Sequence, residues 1–260
     1  MSIDSSYLKK HAARIKAEFE LNGFVHIPRF ATGAELETIQ KNMQRVLQEV
    51  VPTMPATHVY YEDLADKTSL KQLQELYEYD AFFKSLMIDS RWQTLAEVCL
   101  GEAATPQNMQ YFNKPPGASL PTPPHQDGFY FHVKPNHAIT LWMALEEVEP
   151  EQGCVNYVQG SHKYGMRWHG QSNTLGFSQA MLDFGNHFDR TNTRSFPCQA
   201  GDLIAHHCLT IHWADGNHTS DKTRQALGWI YFGATCQEDA EKAASYKKQL
   251  DSQLMAAGKV

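Results

Sequence analysis

His125-Gln126-Asp127, read with the lone His212 and the Arg224 that follow far downstream, is the stretch that decides the architecture of this chain. Alternate residues of a strand project to the same side, so the His-x-Asp spacing predicts that His125 and Asp127 share a strand and reach one metal ion. A third ligand from a distant strand completes a facial triad of two imidazoles and one carboxylate. That donor set suits Fe(II) and leaves the opposite coordination positions free for a cosubstrate and O₂. His206, His207 and His212 compete for the third place. His212 is favoured because it ends the run from Leu203 and precedes the polar turn Asp215-Gly216-Asn217, whereas His206 and His207 read as strand histidines satisfied by neighbours. Zinc is the rival metal, but it prefers four closed ligands or a cysteine, and no cysteine stands at ligand spacing.

Arg224 opens an apolar strand over residues 225–232. A charged group entering such a strand is costly to bury unless it is paired. A guanidinium can grip a carboxylate through two parallel hydrogen bonds, so Arg224 fits the distal carboxylate of a keto-acid cosubstrate; an exposed strand end is the alternative. Triad and arginine together lead us to expect an Fe(II)- and 2-oxoglutarate-dependent oxygenase.

Outward from the motif, residues from 106 onward are β-like. Short apolar runs at 109–112, 138–145, 154–158, 202–205 and 226–232 are separated by turn signals such as Pro-Pro-Gly and Gln-Gly-Ser. This spacing predicts a sandwich or barrel. The first hundred residues read differently. Residues 5–20 carry Tyr7, Leu8, Ala12, Ile15 and Phe19 on one helical face. Residues 24–27 form a short strand stopped by Pro28. Thr32 with Glu35 has the pattern of a capping box for a helix running to about Val51. Residues 58–61 could be a strand, and 67–100 read as mostly helical. Residues 166–195 show no alternation and are expected to be a long loop insertion, a lid or binding loop. Residues 237–256 close the chain as a polar helix. The expected organisation is a single domain over 1–260: a helical part (1–100) packed on a barrel core (101–236), then the last helix (237–256).

At 260 residues, 42% of them hydrophobic, the chain can bury one full core. Its net charge of −6, with no dense Lys/Arg cluster, excludes a nucleic-acid footprint. The apolar runs fall short of a membrane span. The first sixteen residues lack the apolar core of a secretory signal, and the terminal Ala-Ala-Gly-Lys-Val is not a peroxisomal or ER address. Five cysteines, none close to another, speak against a disulfide framework and for reduced thiols in a cytoplasmic protein.

These residues resemble the phytanoyl-CoA dioxygenase family. The matching segments are Asn113-Lys114-Pro115-Pro116, His125-Gln126-Asp127, residues 138–145 with Trp142, Gly153-Cys154, Gln159-Gly160-Ser161-His162, and Gly201-Asp202 through His212 and Asn217 to Arg224. The opening residues 20–28 match the family's entry strand. The resemblance implies a mainly β chain with flanking helices around a double-stranded β-helix (jelly-roll, cupin-like) core. It implies Fe(II) on His125, Asp127 and His212, with 2-oxoglutarate clamped by Arg224 and O₂ as the oxidant. Trp142, Gln110, Gln126 and Ala214 match cosubstrate-pocket positions, and Tyr60 or Tyr61 could add a phenol. Ordinary barrel packing would also account for Trp142, Gln110 and the tyrosines. Halogenating relatives replace the carboxylate ligand with a small residue; Asp127 is present, which favours hydroxylation of an unactivated C–H bond with release of succinate and CO₂.

Phe129, Tyr130, His132 and Trp168 are the candidate substrate contacts, with Phe131, Lys134, Arg167 and His169 nearby. A small polar metabolite is preferred over a CoA thioester because no basic patch stands out. The expected partner is a small-molecule substrate, with no nucleic acid and no membrane, on a monomer or homodimer. Two other readings stay open: a cupin-like metal-dependent enzyme of another reaction class, and a non-enzymatic jelly-roll binding module.

Overall fold

A computed structural model describes residues 3–117 and 119–256; the end of the chain from Ala257, which carries most of the terminal Ala-Ala-Gly-Lys-Val stretch, lies outside the described residues. The chain begins with α1 (Ser5–Lys10) and α2 (Ala12–Asn22), which bury Leu8, Ile15 and Phe19. Gly23, at φ 83°, ends α2 in the left-handed conformation that glycine adopts at least cost, and its N–H bonds the Phe19 carbonyl. After β1 (Phe24–Ile27), α3 (Gly33–Arg45) continues through one π-turn at Val46–Val50 and buries Ile39, Met43 and Val46. The expected capping box at Thr32 does not form. Thr32 makes no side-chain cap bond, and Glu35 instead pairs with Arg91 at 2.7 Å.

The stretch 67–100 is not all helix. It holds β3 (Leu70–Leu73), every residue of it buried, paired between β2 (Val59–Tyr61) and the later strand β4 (Ala104–Asn113). Helices α4 (Leu76–Tyr79), α5 (Ala81–Met87) and α6 (Arg91–Leu100) follow β3, and the side chains of Asp80 and Ser90 cap α5 and α6. Thus the N-terminal part adds three strands to the sheet system as well as its helical cover.

Next come β5 (Thr122–His125), α7 (Gly128–Phe131), β6 (Val133–Lys134), β7 (Ala138–Ala144) and β8 (Val155–Val158). The expected loop 166–195 is in fact structured. It contains the hairpin β9 (His169–Thr174) and β10 (Phe177–Met181), the helix α8 (His187–Thr191) and the start of β11 (Thr193–Phe196). Arg167 ties the segment together through Asp189 at 2.7 Å and Asp183 at 3.1 Å. The remaining elements are β12 (Leu203–His207), β13 (His212–Ala214), β14 (Gln225–Gly233), β15 (Gln237–Glu238) and α9 (Ala240–Ala256).

Eleven of the strands form the two sheets of a jelly roll, while β9 pairs with β10 and β6 with β15 in two-stranded ribbons. The large antiparallel sheet runs β1-β12-β7-β14-β4-β3-β2, and the small one β11-β8-β13-β5. Strand β7 is buried along its whole length because it is covered on both faces. Ile139, Leu141 and Met143 join the helical layer, where Trp229 of β14 stacks on Trp92 of α6 at 5.4 Å. Trp142 and Ala144 face the other way, into a core shared with Val155 and Tyr157 of the small sheet. The period-two alternation therefore divides the large sheet into an outer face that holds the helices and an inner face that holds a cavity.

Candidate metal centre

His125 is the last residue of β5, and its register partner on β13 is His212. Their rings lie 4.2 Å apart. Asp127 is not on the same strand as His125, as the spacing had suggested. It sits just past the strand end, at φ −56° and ψ −34°, where the chain turns into α7. His212 likewise does not end the strand from Leu203. That strand stops at His207, and His212 starts β13 in the opposite sheet. Two strand ends and one turn bring the three groups together: Asp127 Oδ1 lies 3.4 Å from His125 Nε2 and 3.5 Å from His212 Nε2.

Each histidine is oriented through its other nitrogen. His125 Nδ1 is 2.8 Å from the Pro123 carbonyl and His212 Nδ1 is 3.0 Å from the Thr210 carbonyl. A carbonyl only accepts, so each Nδ1 carries a proton and each Nε2 is turned toward Asp127. Burial, reinforced by His125, pushes His212 well below its ordinary range, keeping it neutral. Burial would raise the Asp127 carboxyl, but the imidazoles of His212, His125 and His206 outweigh it and hold the group well below the usual carboxylate range. Three acceptors within 4.8 Å of one another repel until a cation sits among them, so the residues fit a metal ion.

The second carboxylate oxygen is held by the large sheet. Asp127 Oδ2 accepts from Thr140 Oγ1 at 2.6 Å and from His206 Nε2 at 3.1 Å. Thr140 and His206 are register partners on β7 and β12, both on the inner face. Tyr157 donates its hydroxyl to His206 Nδ1 at 3.1 Å, which leaves the imidazole proton on Nε2 for Asp127. Burial raises the Tyr157 phenol well above its ordinary value, so it stays protonated. His206, expected to be an ordinary strand residue, therefore positions a metal-site carboxylate. His207 does fit that plainer reading: it lies on the outer side of β12, where burial drives it down to about 3.

The triad opens into a cavity of ≈ 910 Å³. Across it stands Arg224, 4% exposed, its guanidinium 5.6 Å from the Trp142 ring. Arg224 has no side-chain hydrogen bond or ion pair among the described residues, and its Nε is buried without a partner. Burial pulls it down to about 10, still charged at neutral pH. Two buried lysines line the same region. Lys71 pairs with Glu62 at 2.9 Å, and Lys114 donates to the Leu120 carbonyl at 2.8 Å. Burial first, then the Arg224 and Lys71 charges, push Lys114 down to about 6. Neither lysine was assigned a role from the sequence: Lys71 lies on the short strand β3 and Lys114 just past the end of β4, and both are buried.

Of the other candidates, Trp142, Gln110, Ala214, Tyr60 and Tyr130 line the cavity, whereas Tyr61 is not on its wall. Four do not belong to the wall. Gln126 is fully buried away from it, donating to the Gly165 and Leu209 carbonyls and accepting from the Arg167 N–H. Phe129 stacks on His169 at 4.7 Å. His132 sits in a left-handed turn against Tyr246. Trp168 is 79% exposed. Phe129 and His132 are carried off the wall by α7, which turns the chain immediately after Asp127. A second group, His26, Cys198 and Asp202, also has ligand atoms close together. Its chemistry fits a turn better than a metal: Asp202 accepts from the N–H groups of Arg29 and Gln199, and burial pushes the Cys198 thiol up to about 12.

A family model described as phytanoyl-CoA dioxygenase (PhyH) matches residues 19–226. The peroxisomal phytanoyl-CoA dioxygenase of Bos taurus is 25% identical over 235 residues, covering 84% of this chain and 67% of that protein. The phytanoyl-CoA dioxygenase of Arabidopsis thaliana is 26% identical over 242 residues, covering 80% and 84%. Among solved structures, the epimerase SnoN in complex with Fe3+, alpha ketoglutarate and nogalamycin RO superposes with a TM-score of 0.71 at 23% identity, over 88% of this chain and 86% of that one. EctD from S. alaskensis with 2-oxoglutarate and 5-hydroxyectoine gives 0.70 at 18% identity, over 86% and 76%. At these identities the superpositions establish a shared jelly-roll fold.

Proposed function

The chain belongs to the phytanoyl-CoA dioxygenase family, and from that premise we propose that it is an Fe(II)- and 2-oxoglutarate-dependent dioxygenase that hydroxylates an unactivated C–H bond of a small molecule. His125 Nε2, Asp127 Oδ1 and His212 Nε2 would hold the iron. The bound iron and cosubstrate supply activation of O₂ coupled to formation of succinate and CO₂. This chain's own residues orient and shield. Thr140 and His206 occupy Asp127 Oδ2, so one carboxylate oxygen is left for the metal and open positions remain opposite. Arg224 meets the distal carboxylate of 2-oxoglutarate, with Lys71 and Lys114 adding positive charge and Trp142, Gln110 and Ala214 forming the walls. Fixing the cosubstrate at both ends lowers the entropic cost of reaction. The intact Asp127 carboxylate supports hydroxylation over halogenation.

One observation carries this reading: a triad of two imidazoles and a carboxylate shares a cavity with a buried guanidinium that has no carboxylate of its own. A metal-dependent enzyme that uses no anionic cosubstrate would have no need of that charge. The same reading takes the chain as one domain, with the helices of its first hundred residues packed on the jelly roll. Among the described residues no helix is long and apolar enough to cross a membrane, and five free cysteines support a reducing, cytoplasmic setting. The test is anaerobic reconstitution with Fe(II). Adding 2-oxoglutarate should produce a visible metal-to-ligand charge-transfer band, and admitting O₂ should release succinate. Iron bound without such a band would defeat the proposal.

A further inference from the structure

The cavity is larger than an iron ion and a five-carbon dicarboxylate need. Its ≈ 910 Å³ lies near the top of the roughly 300–1,000 Å³ of sites for drug-sized ligands. The triad, Arg224 and the buried Lys71 and Lys114 occupy its inner end. Its outer chamber is roofed by α9, a helix with no buried residue. Ala243, Tyr246, Leu250 and Leu254, at helical spacing, form the half-buried face of α9 and line the chamber. Polar tethers hold the helix there: Tyr246 Oη to Ser178 Oγ at 2.5 Å and Lys247 Nζ to Glu75 at 2.8 Å.

Two further features give the chamber a chemical character. The first is a fixed amide cluster. Gln74 Oε1 accepts from Asn108 Nδ2 at 3.0 Å and from Gln110 Nε2 at 2.7 Å, while Asn108 Oδ1 accepts from the Glu75 N–H at 2.9 Å. These bonds leave the Gln74 amide protons and the Gln110 carbonyl for a ligand, one donor group and one acceptor held by the protein. The second is charge. Glu75, Glu238 and Asp251 line the outer chamber, and Lys247, the cation beside them, is engaged by Glu75. Phosphate groups are bound by arginine and lysine forks and points of positive charge; this entrance offers the opposite sign.

Resting on the oxygenase reading above, we infer that the chamber takes a bulky uncharged or cationic substrate, one that presents hydroxyl or carbonyl groups to the Gln74–Gln110 pair and an apolar face to α9, and that it rejects acyl-CoA thioesters. The family's name therefore does not transfer to this chain as a substrate. Binding is measured by calorimetry on the purified protein with three probes that share an eight-carbon tail: octyl glucoside, octyltrimethylammonium and octanoyl-CoA. Octyl glucoside and octyltrimethylammonium should bind at least roughly tenfold more tightly than octanoyl-CoA, and added salt should strengthen octanoyl-CoA binding by screening repulsion. The double variant Glu238→Lys/Asp251→Lys should improve octanoyl-CoA and weaken octyltrimethylammonium, each by roughly tenfold. Octanoyl-CoA binding as tightly as octyl glucoside, no binding of the uncharged and cationic probes, or an octanoyl-CoA affinity that falls with salt would overturn the inference. The salt series on the unmodified protein decides the matter if the double variant does not fold. Calorimetry needs no iron, so loss of the 2-oxoglutarate charge-transfer band would count against the oxygenase reading and not against this one.

Discussion

Replacing Arg224 by methionine should move two quantities in opposite directions. Arg224 is 4% exposed and has no hydrogen-bonded or ionic partner for its side chain among the described residues. Burial depresses it from an ordinary 12.5 to about 10. At about 1.4 kcal/mol for each tenfold change in proton affinity, that is about 3 kcal/mol of unfavourable burial carried by the ligand-free fold. Methionine fills much of the same volume without the charge. Arg224→Met should therefore stabilise the metal-free, cosubstrate-free protein by up to about 3 kcal/mol, a rise in Tm of several degrees at roughly 2–4 °C per kcal/mol. The same change removes a two-pronged charged contact, each hydrogen bond of which is worth roughly 1.5–3 kcal/mol. The affinity for 2-oxoglutarate should fall by roughly 10²–10⁴-fold. Thermal unfolding of the apoprotein gives the first number, and titration of the anaerobic Fe(II) protein followed by its charge-transfer band gives the second. Arg224→Lys, which keeps the charge and loses the fork, should lie between. An apoprotein that loses stability while its 2-oxoglutarate affinity stays within about threefold would show Arg224 to be a structural residue and refute the reasoning.

Other outcomes follow from the same geometry. His206→Phe deletes one of the two donors to Asp127 Oδ2; Fe(II) affinity should drop roughly 10–100-fold, with His206→Gln recovering part of it, and an unchanged dissociation constant would remove His206 from the metal site. Lys114 sits at about 6 in the ligand-free protein. Between there and its unfolded value the unfolded chain holds the proton and the folded chain does not, so this group makes stability rise with pH across that window. A carboxylate arriving beside it should draw the proton back. Calorimetry of 2-oxoglutarate binding near pH 7.5 in buffers of different ionisation enthalpy should thus report uptake of up to about one proton, absent in Lys114→Met. Gly201 has φ 85°, and a Cβ there would lie 1.9 Å from the Ala31 carbonyl oxygen; Gly201→Ala should cost about 3 kcal/mol or more, read as a lower denaturant midpoint, and an unaltered midpoint would contradict the close approach.

What the sequence made legible was chemistry spaced along the chain, and what it concealed was chemistry assembled across strands. His125, Asp127, His212 and Arg224 could be named because two ligands one residue apart, a lone downstream histidine and a cation at a strand entrance are local patterns. The geometry behind them was not local. Asp127 reaches the metal site from a turn, and His212 from the opposite sheet, neither of which a single strand's alternation predicts. His206 looked like its neighbour His207, yet the pleat sends one inward to Asp127 and the other outward to the helices. The inward partner, Thr140, is set by register between β7 and β12, information that two separate stretches of sequence do not carry. Strand β3 was lost among helices because Leu70 and Leu73 stand at helical spacing while Lys71 and Gln72 are buried polar residues. The β9–β10 hairpin was lost because its residues are mostly small or polar, and half-buried strands of that kind show no hydrophobic period.

The most direct test of the account is diffraction at the iron absorption edge from crystals grown anaerobically with Fe(II) and 2-oxoglutarate. The account predicts one anomalous peak within bonding distance of His125 Nε2, Asp127 Oδ1 and His212 Nε2, with the cosubstrate's free carboxylate against Arg224. A peak at His26, Cys198 and Asp202 instead, or iron at the triad with the Arg224 guanidinium facing no carboxylate, would contradict it.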